Sequence, residues 1–87
     1  MSSYRLDIGA AAQKEIDALP DAVLPRVNDR IRSLAYQPRP AGCTKLKGYK
    51  DLWRVRAGDW RVLYIIDDQV KCVNIVRIKH RREVYEP

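Results

Sequence analysis

Arg54, Arg56 and Arg61 bracket the dipeptide Gly58-Asp59, a spacing suited to chemistry on an anion. A two-residue hairpin turn there, with Gly58 supplying positive φ, fixes the register of the flanking segments. Ala57 then faces Trp60, Val55 faces Val62 and Trp53 faces Tyr64, giving one apolar side that should bury against the rest of the fold. On the other side Arg56 faces Arg61 directly, with Arg54 diagonally beside them. Like charges opposed across a sheet are destabilising, by up to about 1 kcal/mol. A fold gains nothing from that arrangement, so a bound anion is the expected compensation; a solvated sheet face is the plain alternative. Guanidinium groups donate in a planar fork that matches phosphate.

Further candidates follow. If the second turn is the three-residue Asp67-Asp68-Gln69, then Lys71, Arg77, Lys79 and Arg81 reach the same face. His80, the only histidine, and Tyr85 lie close by in sequence. Alone, each reads as a surface or packing residue. Beside the arginines they become acid–base or base-stacking groups. The segment Cys43–Lys50 carries Lys45, Lys47 and Lys50, which either guide phosphates toward the sheet or are simply solvated. Trp53 and Trp60 have the parity of Val55 and Val62 and are assigned to the core.

These residues must be positioned by a small scaffold. The chain has 87 residues, with 17 Lys plus Arg against 11 Asp plus Glu, for a formal charge of +6. Residues 1–38 balance five basic against five acidic groups, so the whole excess falls in residues 39–87. A field concentrated in one half points to a polyanionic partner, nucleic acid or an acidic protein. The longest apolar run, Val62–Ile66, is far below the roughly 20 residues of a membrane span. No secretion signal is visible, and Cys43 and Cys72 have no metal-ligand spacing. A cytoplasmic protein without metal, cofactor or structural disulfide is expected.

Tyr4, Leu6 and Ile8 alternate with Arg5 and Asp7, predicting a first strand. Ala12, Ile16 and Leu19 predict a helix over Ala10–Leu19, stopped by Pro20. Leu24, Val27, Ile31 and Leu34 predict a second helix, with Asp21 as N-cap and Pro25 in the first turn. A loop runs from Pro38 to about Gly48, and strands follow at about 52–57, 60–66 and 70–79. The order β-α-α-β-β-β is a single α+β domain over residues 1–87, a helical hairpin on one face of a mainly antiparallel sheet.

The succession Lys45-Leu46-Lys47-Gly48, Leu52-Trp53-Arg54-Val55-Arg56, Gly58-Asp59-Trp60-Arg61-Val62-Leu63-Tyr64 and His80-Arg81-Arg82-Glu83-Val84-Tyr85 resembles the RelE/ParE toxin superfamily, and within it the RelE branch. The resemblance spans essentially the whole chain. It implies the toxin of a toxin–antitoxin pair, a ribosome-dependent endoribonuclease that cuts mRNA in the A site. There the ribose 2′-OH attacks the adjacent phosphate without a metal. It implies a RelB-like antitoxin with an acidic or amphipathic segment, and contact with operator DNA only through that antitoxin. Family basic positions fall on Arg54, Arg56 and Arg61, the family arginine after the last strand on Arg81, and its C-terminal tyrosine on Tyr85.

Arg61 and Arg81 are then expected to stabilise the phosphorane, and Arg54 and Arg56 to hold the scissile phosphate, with Lys45, Lys47 and Lys79 as further phosphate contacts. Relatives commonly carry lysine where this chain has Arg54 and Arg56. Arginine stays protonated, so the base must be Tyr85, His80 or a group of the substrate or ribosome. Glu83 is expected to pair with a neighbouring arginine. The alternative reading is a ParE-like toxin that inhibits DNA gyrase by binding. A fold shared by both activities does not separate them, but ParE-type members generally lack the basic cluster with its terminal tyrosine.

Overall fold

The structure, a computed structural model, describes residues 3–83. The elements are β1 (Arg5–Ile8), α1 (Ala10–Asp17), α2 (Leu24–Leu34), β2 (Thr44–Lys45), β3 (Leu52–Ala57), β4 (Trp60–Asp67) and β5 (Cys72–His80). They form one five-stranded sheet in the order β1-β5-β4-β3-β2, with β1 parallel to β5 and the other pairs antiparallel. The expected α+β arrangement is observed. It gains β2, a two-residue strand where a loop was expected; two residues paired with β3 are too few to leave a periodic signature.

Gly9 makes the turn from β1 into α1 possible. Its N–H donates to the Ile75 carbonyl at 2.9 Å, and a Cβ there would lie 3.2 Å from that oxygen. After α1 the Pro20 carbonyl accepts the N–H groups of Val23 and Leu24, so α2 begins at Leu24 with Pro25 in its first turn. Asp21 therefore does not cap this helix, and no side chain does. Ala12, Ile16, Val27, Ile31 and Leu34 bury their helical stripe against Val55, Ala57, Val62, Tyr64, Val73, Ile75 and Ile78. Each fully buried aliphatic side chain contributes about 1.5–3 kcal/mol. Tyr64 is wholly buried, and its hydroxyl is satisfied by donating to the Pro38 carbonyl at 2.8 Å.

The second turn departs from expectation. Asp67 remains in β4, opposite Cys72, and the turn is the four residues 68–71. The Asp67 carboxylate accepts the N–H groups of Gln69 and Val70, and Lys71 adopts φ 56°. Its ammonium lies 5.1 Å from the Tyr4 ring centroid, so Lys71 belongs to the turn and not to the arginine face. Four turn residues would reverse the parity of β5. A β-bulge at Val76 restores it: Tyr64 pairs with Ile75, but Leu63 pairs with Arg77 and Arg61 with Lys79.

Candidate nucleic-acid interface

The β3–β4 hairpin closes through Gly58-Asp59 with Ala57 opposite Trp60. Gly58 takes φ 63° while Asp59 does not enter the positive-φ region, the Gly-first pattern of a type II′ turn. Arg56 pairs with Arg61, and Arg54 with Leu63, on the face away from the helices. Burial first, then Arg61 and Arg56, push the Arg54 guanidinium below its usual value. The Arg61 Nε is buried and has no hydrogen-bond partner among the described residues. Such an orphaned donor costs about 1–3 kcal/mol unless something supplies an acceptor.

Two clefts open on this side. One, of about 390 Å³, is lined by Arg56, Gly58, Asp59, Trp60, Arg61, Arg81 and Arg82. Arg81 is anchored there because its N–H donates to the Asp59 carbonyl at 2.8 Å, and its guanidinium stands 3.7 Å from the Asp59 carboxylate. The other, of about 210 Å³, is bounded by Leu46, Lys47, Tyr49, Arg54, Arg61, Leu63, Lys79 and Glu83. Arg61 lines both. Leu52 and Leu63 have outward parity yet are only 5% and 2% exposed, so this face is not purely solvated. The chain between β2 and β3 borders it and brings Lys47 toward Arg54.

The expected residues do not all converge. Lys45 pairs with Trp53 across β2–β3, which turns it to the helix side. It stands 6.0 Å from the Trp53 ring centroid and 4.0 Å from the Asp51 carboxylate. His80 pairs with Trp60, whose parity is that of the core, and packs edge-on against its ring at 5.1 Å. Its Nδ1 accepts the Arg82 N–H. It thus faces away from Arg56 and Arg61. Lys79 does face Arg61, but it is only 16% exposed and is held by Glu15 at 3.2 Å and Glu83 at 3.4 Å. Glu83 accordingly pairs with a lysine rather than an arginine, and it also accepts the His80 N–H. Tyr85 lies outside the described residues.

Glu15 is the residue that sequence reasoning missed. Projecting from α1, it accepts two hydrogen bonds from Arg77, at 3.1 and 3.0 Å, together with the Ile78 N–H at 2.8 Å. Partial burial pushes its carboxyl up, but Arg77, the Ile78 amide and Lys79 outweigh this and leave it below the ordinary value. Sixty-odd positions separate these partners in the chain, and only the parallel docking of β1 on β5 brings α1 to them. Nothing near Glu15 in sequence distinguishes it from Asp17. Among the described residues no three His, Cys, Asp or Glu side chains gather where a metal ion would sit. No described helix is long and apolar enough to cross a membrane.

Comparison with known proteins agrees with this architecture. The family described as the ParE toxin of type II toxin–antitoxin systems, parDE, matches residues 6–85. Toxin RelG of Mycobacterium tuberculosis is 28% identical over 83 residues, covering 94% of this chain and 95% of its own. Among solved structures, the archaeal RelE–RelB complex from Pyrococcus horikoshii OT3 is similar with a TM-score of 0.79 and 32% identity, over 93% of this chain and 98% of that one. The toxin–antitoxin complex RelBE2 from Mycobacterium tuberculosis gives 0.81 at 27% identity, over 91% and 99%. With the helix-covered sheet, the arginine hairpin and these matches together, the chain belongs to the ParE toxin family of type II toxin–antitoxin systems, on the RelE-like side of the RelE/ParE superfamily.

Proposed function

We propose that the protein is a ribosome-dependent endoribonuclease that cuts mRNA in the ribosomal A site, with a RelB-like antitoxin as its partner. The observation that carries this reading is the cluster of Arg54, Arg56 and Arg61 on the open sheet face. It has no ion-pair partner among the described residues, and the buried Arg61 Nε lacks an acceptor. A phosphodiester supplies what is missing: anionic oxygens in the plane of a guanidinium fork.

In the proposed reaction the ribose 2′-oxygen forms a bond to the adjacent phosphorus and the bond to the 5′-oxygen breaks. The products are a 2′,3′-cyclic phosphate and a 5′-hydroxyl. Arg54 and Arg56 hold the phosphate for in-line approach, and Arg61 and Arg81 stabilise the added negative charge of the phosphorane. None of these takes a proton, because arginine remains charged. Glu83 is held below its ordinary value, first by the His80 N–H, and is a weak base. With His80 packed on Trp60, the 2′-hydroxyl proton goes to Tyr85 or to a group of the substrate or ribosome, and the departing 5′-oxygen takes up a proton from that group or from water.

Primer extension on mRNA translated during expression tests the proposal, with cuts at fixed codon positions expected. Growth arrest with intact message and an induced DNA-damage response would instead favour gyrase inhibition. The RelE–RelB complexes among the similar structures support an antitoxin partner. A co-expressed acidic segment that abolishes the cuts is the expected readout.

A further inference from the structure

The hairpin turn at Gly58-Asp59 separates two clefts. The front one holds Arg56, Arg61, Arg81 and Arg82. Behind the turn lies a second, also of about 390 Å³, lined by Arg26, Asp29, Arg30 and Ser33 of α2 together with Ala57 and Gly58. Gly58 belongs to both, and the Arg26 guanidinium lies against it, 3.5 Å from where a Cβ would stand. Arg26 and Arg30 are one helical turn apart, a like-charge pair that weakens an isolated helix. Asp29, between them, is engaged by Arg32 at 3.2 Å. Neither Arg26 nor Arg30 has an ion-pair partner among the described residues.

We infer that a single-stranded RNA bound at the front cleft continues over the hairpin turn, and that Arg26 and Arg30 hold its flanking phosphates. The inference rests on the nuclease reading and extends it to a second contact region on α2. Two features favour a phosphate chain over an acidic peptide. The back cleft adjoins the front one across the turn, sharing Gly58 in its lining, and it offers no apolar side chain larger than Ala57. An amphipathic segment docks through apolar anchors and would find none here.

The test is fluorescence anisotropy of the full chain with labelled oligouridylate, repeated across a salt series. Single-stranded binding loses about 0.7 in log–log salt slope for each phosphate contact removed. Arg26→Gln with Arg30→Gln should therefore lower the slope by about 1.4. The Arg26→Lys/Arg30→Lys pair, which keeps both charges, should retain it. Lys14→Gln with Lys71→Gln, the same loss of charge elsewhere, should leave it unchanged.

A slope unaltered in the Arg26/Arg30 glutamine variant but lowered by Arg56→Gln with Arg61→Gln overturns this inference and leaves the nuclease reading standing. A slope lowered by neither also overturns this inference, and the nuclease reading is then decided by the primer-extension mapping on translated mRNA. Weaker capture of an acidic antitoxin segment by the Arg26/Arg30 variant, with RNA binding intact, assigns the cleft to a protein partner and also overturns the inference.

Discussion

Two groups of cations share the open face of the sheet and differ in what surrounds them. At the β5 edge, Arg77 and Lys79 converge on Glu15, and Lys79 also meets Glu83. At the hairpin, Arg54, Arg56 and Arg61 lie together with no carboxylate partner among the described residues. The first group resembles ordinary structural chemistry, with charge neutralised and a backbone amide satisfied. The second tolerates repulsion and a buried unpaired donor, a combination that selection for stability alone would remove. Identical residue types thus serve opposite ends within one face, and the position of one carboxylate separates them.

That contrast is most sharply broken by Arg61→Ala. On the proposed mechanism, loss of one preorganised donor lowers single-turnover cleavage on programmed ribosomes by about 10²–10³-fold. Urea unfolding of the same variant should show stability unchanged or raised by up to about 1 kcal/mol, because an opposed like charge is gone. Undiminished cleavage would remove Arg61 from the site.

Glu15→Ala should behave in the reverse sense, costing about 1.5–3 kcal/mol in urea unfolding through lost charge-assisted hydrogen bonds. Glu15→Gln should cost less, since its carbonyl can still accept the Ile78 N–H. A neutral result for Glu15→Ala would mean that the clasp contributes nothing.

Acid provides a milder probe. Glu15 lies below its ordinary value, so the stability it contributes is complete above about 4.5 and declines as pH falls through the folded value. Asp68 behaves likewise at the far end of the sheet. Bonds first from Arg39 and then from Tyr4 hold its carboxyl at about 2, so its contribution fades between about 3.8 and 2. In acid titrations followed by circular dichroism, Asp68→Asn should lower stability at neutral pH and flatten this lower limb, so that variant and parent converge at about pH 2.

The smallest expected effect distinguishes the two lysines. Lys47→Gln should lower the salt slope of RNA binding by about 0.7, whereas Lys45→Gln, on the helix side, should not change it.

Local chemistry made much of this readable. Gly58 sets the turn, the turn sets the register, and the register places Arg56 against Arg61. The helices were legible from Ile16, Val27, Ile31 and Leu34 because their spacing matches a buried stripe. What escaped depends on distant partners or on cancelling irregularities. The longer second turn and the bulge at Val76 offset each other, so Arg77 and Lys79 reached the expected face while Lys71 did not. Lys45 was unreadable because β2 is assigned only by pairing with β3. His80 was judged by its sequence neighbours, although its even position already gave it the parity of Ile78.

The Glu15 clasp has a consequence for association. β1 covers β5 only as far as Ile75, which leaves the strand's upper rim open. Glu15 occupies the Ile78 amide on that rim, and at the far border β2 offers only two residues. A chain attempting to lengthen this sheet by hydrogen-bonding alongside it finds little template at either margin. Binding by side-chain contact with the broad surfaces is left as the favoured route for a visitor, which keeps the arginine hairpin available instead of buried in self-assembly.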